Sequence, residues 1–442
     1  MAHQYDQNKC IFCLKTLQRT DICFETVDDT VDMTPDPVKL AYERRFDATV
    51  DENDVRCWSR QPIRNYVEGD PDFDLDPDTG IPVAWNERRD GWEVKSRLRL
   101  CRFCHHRLPA SFGKHPNITI GLCGNSAAGK TVYMLSLIHD LRRVPNMSVT
   151  PDPVFYSEMD TDYESLYNAM YTNAGGYVLP SATNPLDLLS PLVLDCQYSR
   201  GGRTREFSIT VFDMAGEGVK STSYMAKQAV YLENVAGVIY LKNPDYYPGM
   251  KMEEDALIEH AYLPALIDAI TMRPEGAERA RIAITITKFD KVLSLYGGLP
   301  EMEKLSDMLA DNPLTLHGRG FDVNRAMILN QQLYKFYQME NTRDQRIITF
   351  YDSQRQAAAR QQKPEARRGL FGRLFGGKSE PEERVSARQS VMLFAASPLG
   401  RDAQFVNDDC NQMAVAPSGM MNVDPLLWLL YCCDLYPARA MD

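Results

Sequence analysis

The segment Gly124-Asn125-Ser126-Ala127-Ala128-Gly129-Lys130-Thr131 constrains this chain more than any other. It fits the pattern GxxxxGK[ST], and it lies between a short apolar run, Ile118 to Cys123, and an apolar stretch of helical composition. Small residues and glycines let successive backbone N–H groups curl around a phosphate chain, and the helix that follows adds its positive N-terminal end. Lys130 is then placed to neutralise the outer phosphates, and the Thr131 hydroxyl to bind Mg2+. The pattern alone does not choose between ATP and GTP.

Around this loop the chain alternates between two textures. NITIGLCG, LVLDCQY, FSITVFD, VAGVIYL, RIAITIT and VMLFAAS are short β-rich runs separated by longer stretches of helical composition, which predicts an α/β fold with a mainly parallel sheet covered on both faces. One connection differs: LVLDCQY and EFSITVFD are joined only by SRGGRTR, whose Gly201 and Gly202 suit a hairpin turn, so that pair is predicted antiparallel. Helices are expected over Lys130 to Arg143, Met252 to Thr271, and Asn324 to Met339. A fourth is expected at the C-terminus, opened by Asp424 as N-cap and Pro425 as first helical residue. The organisation expected is an N-terminal cysteine-bearing module over 1–115 and a nucleotide-binding domain over 116–442, with a charged, Gly-rich, mobile insertion at 356–390.

Two acidic residues at strand ends extend the site. Asp213 closes an apolar run and opens Asp213-Met214-Ala215-Gly216-Glu217; a carboxylate there can hold Mg2+ through water, and the Gly216 amide can meet a terminal phosphate. RIAITIT leads into Thr287-Lys288-Phe289-Asp290, where the Asp290 carboxylate can accept hydrogen bonds from the N1 and N2 donors of guanine. Adenine lacks that donor pair. The stem of Lys288 would lie along the ring face.

GNSAAGKT, DMAGE and TKFD in this order resemble the first, third and fourth motifs of the Ras-like, translation-factor-related (TRAFAC) GTPases, over about residues 117 to 435. The resemblance implies a mixed six-stranded sheet in which only the strand before that of DMAGE is reversed. It also implies GTP and GDP as ligands with Mg2+, and protein partners that read the switch regions. The base-reading motif begins here with Thr287 where the family usually has Asn. The switch threonine is expected at Thr183, in Leu179-Pro180-Ser181-Ala182-Thr183-Asn184-Pro185, with Thr161 and Thr172 as alternatives. The last motif falls at Ala395-Ala396-Ser397-Pro398; Pro398 has no N–H, so the Ser397 amide is the expected donor to the base.

The residue after DxxG, a glutamine in the small GTPases, is Glu217 here. A carboxylate accepts from water but cannot donate to the developing phosphate charge, so slow intrinsic hydrolysis is predicted, with Lys130, Thr183, Gly216 and Glu217 as the catalytic set. Arg200, Arg203 and Arg205 are weighed as an internal arginine source against a plain role as turn charges. Competing readings are a non-hydrolysing nucleotide-binding scaffold and an ATPase.

Cys10-Ile11-Phe12-Cys13 and Cys101-Arg102-Phe103-Cys104 are two CxxC units, each able to present two thiolates to a tetrahedral zinc ion. Either they share one structural Zn2+ as a ribbon split by a long insertion, the favoured arrangement, or they are independent. His105 and His106 are possible substitutes, and Cys23 and Cys57 are read as core residues. Zinc ribbons ahead of such a domain are similar to those of bacterial double-GTPase families, which implies a component of a multi-protein, conflict- or defence-like system.

The net charge of −11 disfavours nucleic acid as a partner, and no run of apolar residues is long enough to span a membrane, so a cytoplasmic protein is expected. Arg367 to Phe375 alternates cations with large apolar residues and is read as a surface loop, with contact to an anionic membrane or a partner groove as the sharper alternative.

Overall fold

The computed structural model describes residues 8–439 apart from 26–31, 47, 90–91, 97, 125–127, 157–162, 173–175, 181–190, 216–234, 245–279, 311–313, 340–344, 363–389, 401–403 and 408–410. The helix expected at Met252 to Thr271, the basic stretch Arg367 to Phe375, and Asn125, Ser126, Ala127, Thr161, Thr183, Gly216 and Glu217 lie outside the described residues.

All six apolar runs are strands of one sheet: β1 (Asn117–Gly124), β3 (Leu192–Arg200), β4 (Arg203–Ala215), β5 (Gly237–Lys242), β6 (Arg281–Ile286) and β7 (Val391–Ala395). The sheet has seven strands rather than six, because β2 (Met147–Pro151) follows the first helix and pairs antiparallel with β3 along the outer edge. The spatial order is β2-β3-β4-β1-β5-β6-β7. β3 runs against all the others, as the hairpin predicted, and its turn at Gly201 and Gly202 leaves Arg200 opposite Arg203.

Helix α1 (Lys130–Leu141) carries an almost wholly buried apolar face against the sheet: Tyr133, Met134, Leu137, Ile138 and Leu141. Further along come α2 (Tyr163–Tyr171), α3 (Phe289–Tyr296), α4 (Pro300–Ala310), α5 (Val323–Gln338), α6 (Gln345–Gln362) and α7 (Asp424–Cys432). Two boundaries differ from expectation. In α7, Asp424 is the first helical residue and Val423, with no side-chain cap, stands at the N-cap, so Pro425 falls at the second position. Residues 356–362, assigned to the insertion, are the last turns of α6: Ala357, Ala358 and Ala359 with their Gln and Arg neighbours are strong helix formers, and composition alone did not separate them from the Gly-rich stretch beyond.

Residues 8–115 form short strands and one capped helix, Pro37–Glu43, whose N-cap Asp36 accepts from the amides of Val38 and Lys39. Strand alternation sends Phe207, Ile209 and Val211 of β4 into the main core, with α1. Phe212 of β4 and Val193 of β3 face the other way, into a second core with Phe12, Phe24, Cys101 and Phe112. The N-terminal part therefore supplies the cover for one face of the β3–β4 end of the sheet.

Candidate nucleotide site and zinc centre

The C-terminal ends of the parallel strands collect at one edge of the sheet, where the loops that follow them are free to hold a ligand. At that edge Gly124 ends β1 at φ +154°, and a Cβ on it would stand 2.7 Å from the Leu241 carbonyl oxygen of β5. Only glycine lets the chain leave the sheet this close to its neighbour. Gly129 takes the left-handed conformation (φ 74°) ahead of α1, which begins with no side-chain cap. Ala128 is buried, Thr131 half-buried, and the Lys130 Nζ donates to the Gly124 carbonyl at 3.1 Å. The lysine thus reaches back to the last residue of β1.

Asp213 lies on β4, which pairs parallel with β1 in the register Asp213 to Leu122. The residue as a whole keeps partial exposure, but its Oδ1 is sealed and has no hydrogen-bond partner among the described residues. Burial raises its carboxyl to about 6, against the opposing pull of the Lys130 ammonium. A buried carboxylate oxygen with no protein partner, beside a lysine and the first turn of α1, is the donor set that suits a hydrated Mg2+. Tyr163 of α2, fully buried, feels the Asp213 charge, and burial raises its phenol further.

At the other end of the same edge, the Thr287 amide and hydroxyl both donate to the Lys242 carbonyl, at 2.9 and 3.2 Å, tying the ends of β6 and β5 together. Lys288 is left-handed (φ 49°) and turns the chain into α3, so that Asp290 falls in its first turn. The Ser397 hydroxyl donates to Asp290 Oδ1 and accepts from the Gly400 amide at 3.1 Å. The Ser397 amide, expected as a donor to the base, donates here to the Met420 carbonyl at 3.0 Å, in a two-way bridge with that residue, and it is the side chain that reaches the Asp290 carboxylate. Sequence spacing gave no signal for this pairing, because 107 positions separate the partners.

The hairpin arginines fall away from the edge. Arg200 donates to the carbonyls of Arg319 and Ala438, and Arg205 to that of Asp434. The hairpin is at the opposite end of β4 from Asp213, about 30 Å along the strand at ~3.3 Å per residue. Thr172 is bonded through its hydroxyl to the Asn168 carbonyl at the end of α2. A separate cavity of about 390 Å³ between α5 and α6, lined among others by Asn330, Tyr334, Tyr351 and Arg355, contains none of the site residues.

The sulfurs of Cys10, Cys13, Cys101 and Cys104 all lie within 4.8 Å of one another, with Cys10 to Cys104 at 3.8 Å and Cys13 to Cys101 at 3.6 Å. A tetrahedron with Zn–S bonds of ~2.3 Å has sulfur–sulfur edges of about 3.8 Å, whereas a disulfide would need ~2.05 Å. The two loops are built alike. The Cys10 and Cys101 amides donate to the carbonyls of Lys15 and His106, and Leu14 and His105, each following the second cysteine, are both left-handed (φ 61° and 53°). Neither histidine takes a thiolate's place. His105 Nδ1 meets Asp36 at 2.9 Å, and His106 stacks on Phe12 at 4.3 Å. Burial alone would raise the Asp36 carboxyl, but its bonds from His105 and Ser59 hold it below the ordinary value. Burial pushes the Cys10 and Cys104 thiols up, a cost that a divalent cation among four sulfurs would reverse. Cys23 and Cys57 are buried outside the cluster, as expected.

No protein-family model matches the chain. It is 24% identical over 275 residues to a protein of Mycolicibacterium smegmatis described as a putative ESX-1 scaffolding and assembly protein, SaeC, a match that covers 59% of this chain and 64% of that relative's length. Among solved structures it is similar to the G domain of the T. maritima FeoB iron transporter, at 14% identity, 41% coverage of this chain, 82% of that one and a TM-score of 0.18. It is also similar to the S. cerevisiae Ski7 GTPase-like domain bound to GTP, at 14% identity, 45% and 40% coverage and a TM-score of 0.25. No helix among the described residues is long and apolar enough to cross a membrane.

Proposed function

We propose that the chain is a guanine-nucleotide-binding switch that takes GTP with Mg2+ and hydrolyses it slowly to GDP. The observation that carries this reading is the convergence of three groups at one sheet edge. Lys130 is curled onto the Gly124 carbonyl, Asp213 has a sealed oxygen without a protein partner among the described residues, and Asp290 is held by the Ser397 hydroxyl. Lys130 would exchange its carbonyl contact for the outer phosphates, while the loop amides from Gly124 to Thr131 wrap the chain between them. Thr131 and Asp213 would hold Mg2+, which neutralises phosphate charge when bound. Asp290 would accept the two guanine N–H groups, with Lys288 along the ring. Thr183 and Gly216 are the residues we assign to sensing the terminal phosphate, and Glu217 to holding the attacking water.

A second reading, a nucleotide-binding scaffold without turnover, is favoured by Glu217, whose charge opposes that of the phosphate. Partners reading the switch segments fit either case, and the description of the mycobacterial relative as a scaffolding and assembly protein supports membership of a multi-protein assembly. The first test is to denature freshly purified chain and identify the released nucleotide by anion-exchange chromatography. GDP or GTP is expected; adenine nucleotide alone, or tighter binding of ATP than GTP in titration, would refute the guanine assignment. Asp290→Asn should weaken GTP and favour xanthosine triphosphate, whose 2-oxo group accepts where guanine donates. Phosphate release followed over hours separates slow turnover from none.

A further inference from the structure

The two cysteine loops are near copies, but their central phenylalanines have different surroundings. Phe103 is 41% exposed, with the Lys15 ammonium 4.0 Å from its ring centre. Phe12 is 8% exposed and packs between the N-terminal part and the sheet: its ring stacks on His106 at 4.3 Å, lies 6.2 Å from Phe155, and meets Phe212 edge-on at 6.4 Å and 86°. Its carbonyl is fixed by the Tyr42 hydroxyl at 2.9 Å.

Phe212 is the residue before Asp213, on the opposite face of β4. On one side β4 is paired with β1 as far as Ala215, opposite Gly124. On the other side, the described pairing with β3 runs to Val211, opposite Leu192. Phe212 follows directly and is buried with Phe12 and Phe155 in the second core.

We propose that Phe12, held between two thiolates of the zinc centre, is a positioning residue for Asp213, so that the metal-loaded first cysteine loop sets the affinity of the nucleotide site for Mg2+. The inference rests on the nucleotide reading above. It makes the zinc centre part of how the site is built. Phe12 presses on Phe212 from one face, and Asp213 is aimed at the phosphate loop from the other. The base site, on β6 and β7, is outside this line of contact, whereas the phosphate loop is joined to β4 by the β1 ladder, which the substitution leaves in place.

The test uses the full chain. Zinc content is measured by metal analysis, and binding of a fluorescent GDP analogue is measured across free Mg2+ concentrations and in EDTA. Phe12→Ala should keep one zinc per chain and bind the analogue in EDTA within about twofold of the parent. It should need about three- to tenfold more Mg2+ for half-maximal enhancement, the range expected for losing one aromatic pair. Phe12→Leu should recover most of the loss, and Phe103→Ala should behave as the parent. A Phe12→Ala protein with full zinc and unchanged Mg2+ dependence would overturn the proposal. Should Phe12→Ala lose its metal, Phe212→Leu removes the same contact from the other side and must shift the Mg2+ dependence likewise; no shift there also overturns it. If the parent chain binds no nucleotide at any Mg2+ concentration, the nucleotide reading itself fails, and that failure is seen before any variant is compared.

Discussion

Substituting Asp140 by asparagine should make this protein more stable at neutral pH, by an amount that can be worked from the structure. Asp140 is 2% exposed near the end of α1, and its Oδ2 accepts from the Asn422 side-chain amide at 2.9 Å. The Asn422 Oδ1 is buried with no hydrogen-bond partner among the described residues. Burial pushes the Asp140 carboxyl up to about 6, against the Asn422 bond and the Arg143 charge, which both pull it down. Relative to an ordinary value of 3.8, that costs the ionised folded chain at most about 3 kcal/mol, at ~1.36 kcal/mol per pH unit. An asparagine keeps the shape, removes the buried charge, and brings an N–H that can reach the unpartnered Asn422 oxygen.

The sign follows from linkage. A carboxyl whose folded value is raised stabilises fully below pH 3.8, and that stability is lost as pH rises through about 6. The parent loses it and Asp140→Asn does not, so the gap in melting temperature should open between about pH 4 and 6 and stay constant above. With partial compensation, a gain of about 1–2 kcal/mol is expected, which is a few degrees for a domain of this size. Thermal unfolding of both proteins from pH 4.5 to 8, in dilute solution, measures it. Asp140 lies at the far end of α1 from the phosphate loop, so nucleotide affinity should not change. A variant that melts below the parent at pH 8, or a gap that does not depend on pH, would refute the reasoning.

Three other outcomes are expected. Purified chain should carry one zinc, and Cys13→Ser should lose it with a lower melting temperature, since four sulfurs within 4.8 Å of one another match a tetrahedral zinc site; chelation with no change in melting would count against a structural metal. Gly124→Ala places a methyl 2.7 Å from a backbone carbonyl that cannot step aside, which should cost about 2–4 kcal/mol of stability and abolish nucleotide binding, read by melting and by titration. Ser397→Ala leaves Asp290 without the hydroxyl that orients it; a bond to a charged group is worth ~1.5–3 kcal/mol, so GTP affinity should fall at least about tenfold while binding of free Mg2+ and zinc content stay constant.

What the sequence made legible here follows the range of the interactions. Most of the six apolar runs became strands buried on both faces, and near-continuous apolar character marks that state without knowledge of neighbours; in LVLDCQY one face opens at Asp195 and Gln197. β2 escaped notice because an edge strand needs only one partner: Met147, Val149 and Pro151 are buried while Ser148 and Thr150 are exposed, an alternation too short to stand out directly after a helix. The shared cysteine cluster was readable for a related reason, since the repeated Cys-x-Phe-Cys describes two local loops that geometry brings together. Contacts between distant segments that no repeated motif marks were not readable. Ser397 reaches Asp290 through its side chain, and nothing near either residue encodes the pairing. The difference between Phe12 and Phe103 is of the same kind. Their local patterns match, and their burial differs because one packs against Phe212 of β4. A motif therefore identifies the chemistry a site can perform, and the packing behind it decides how well its groups are aimed. In this chain that packing places the four-cysteine cluster, through Phe12, behind the strand that carries Asp213.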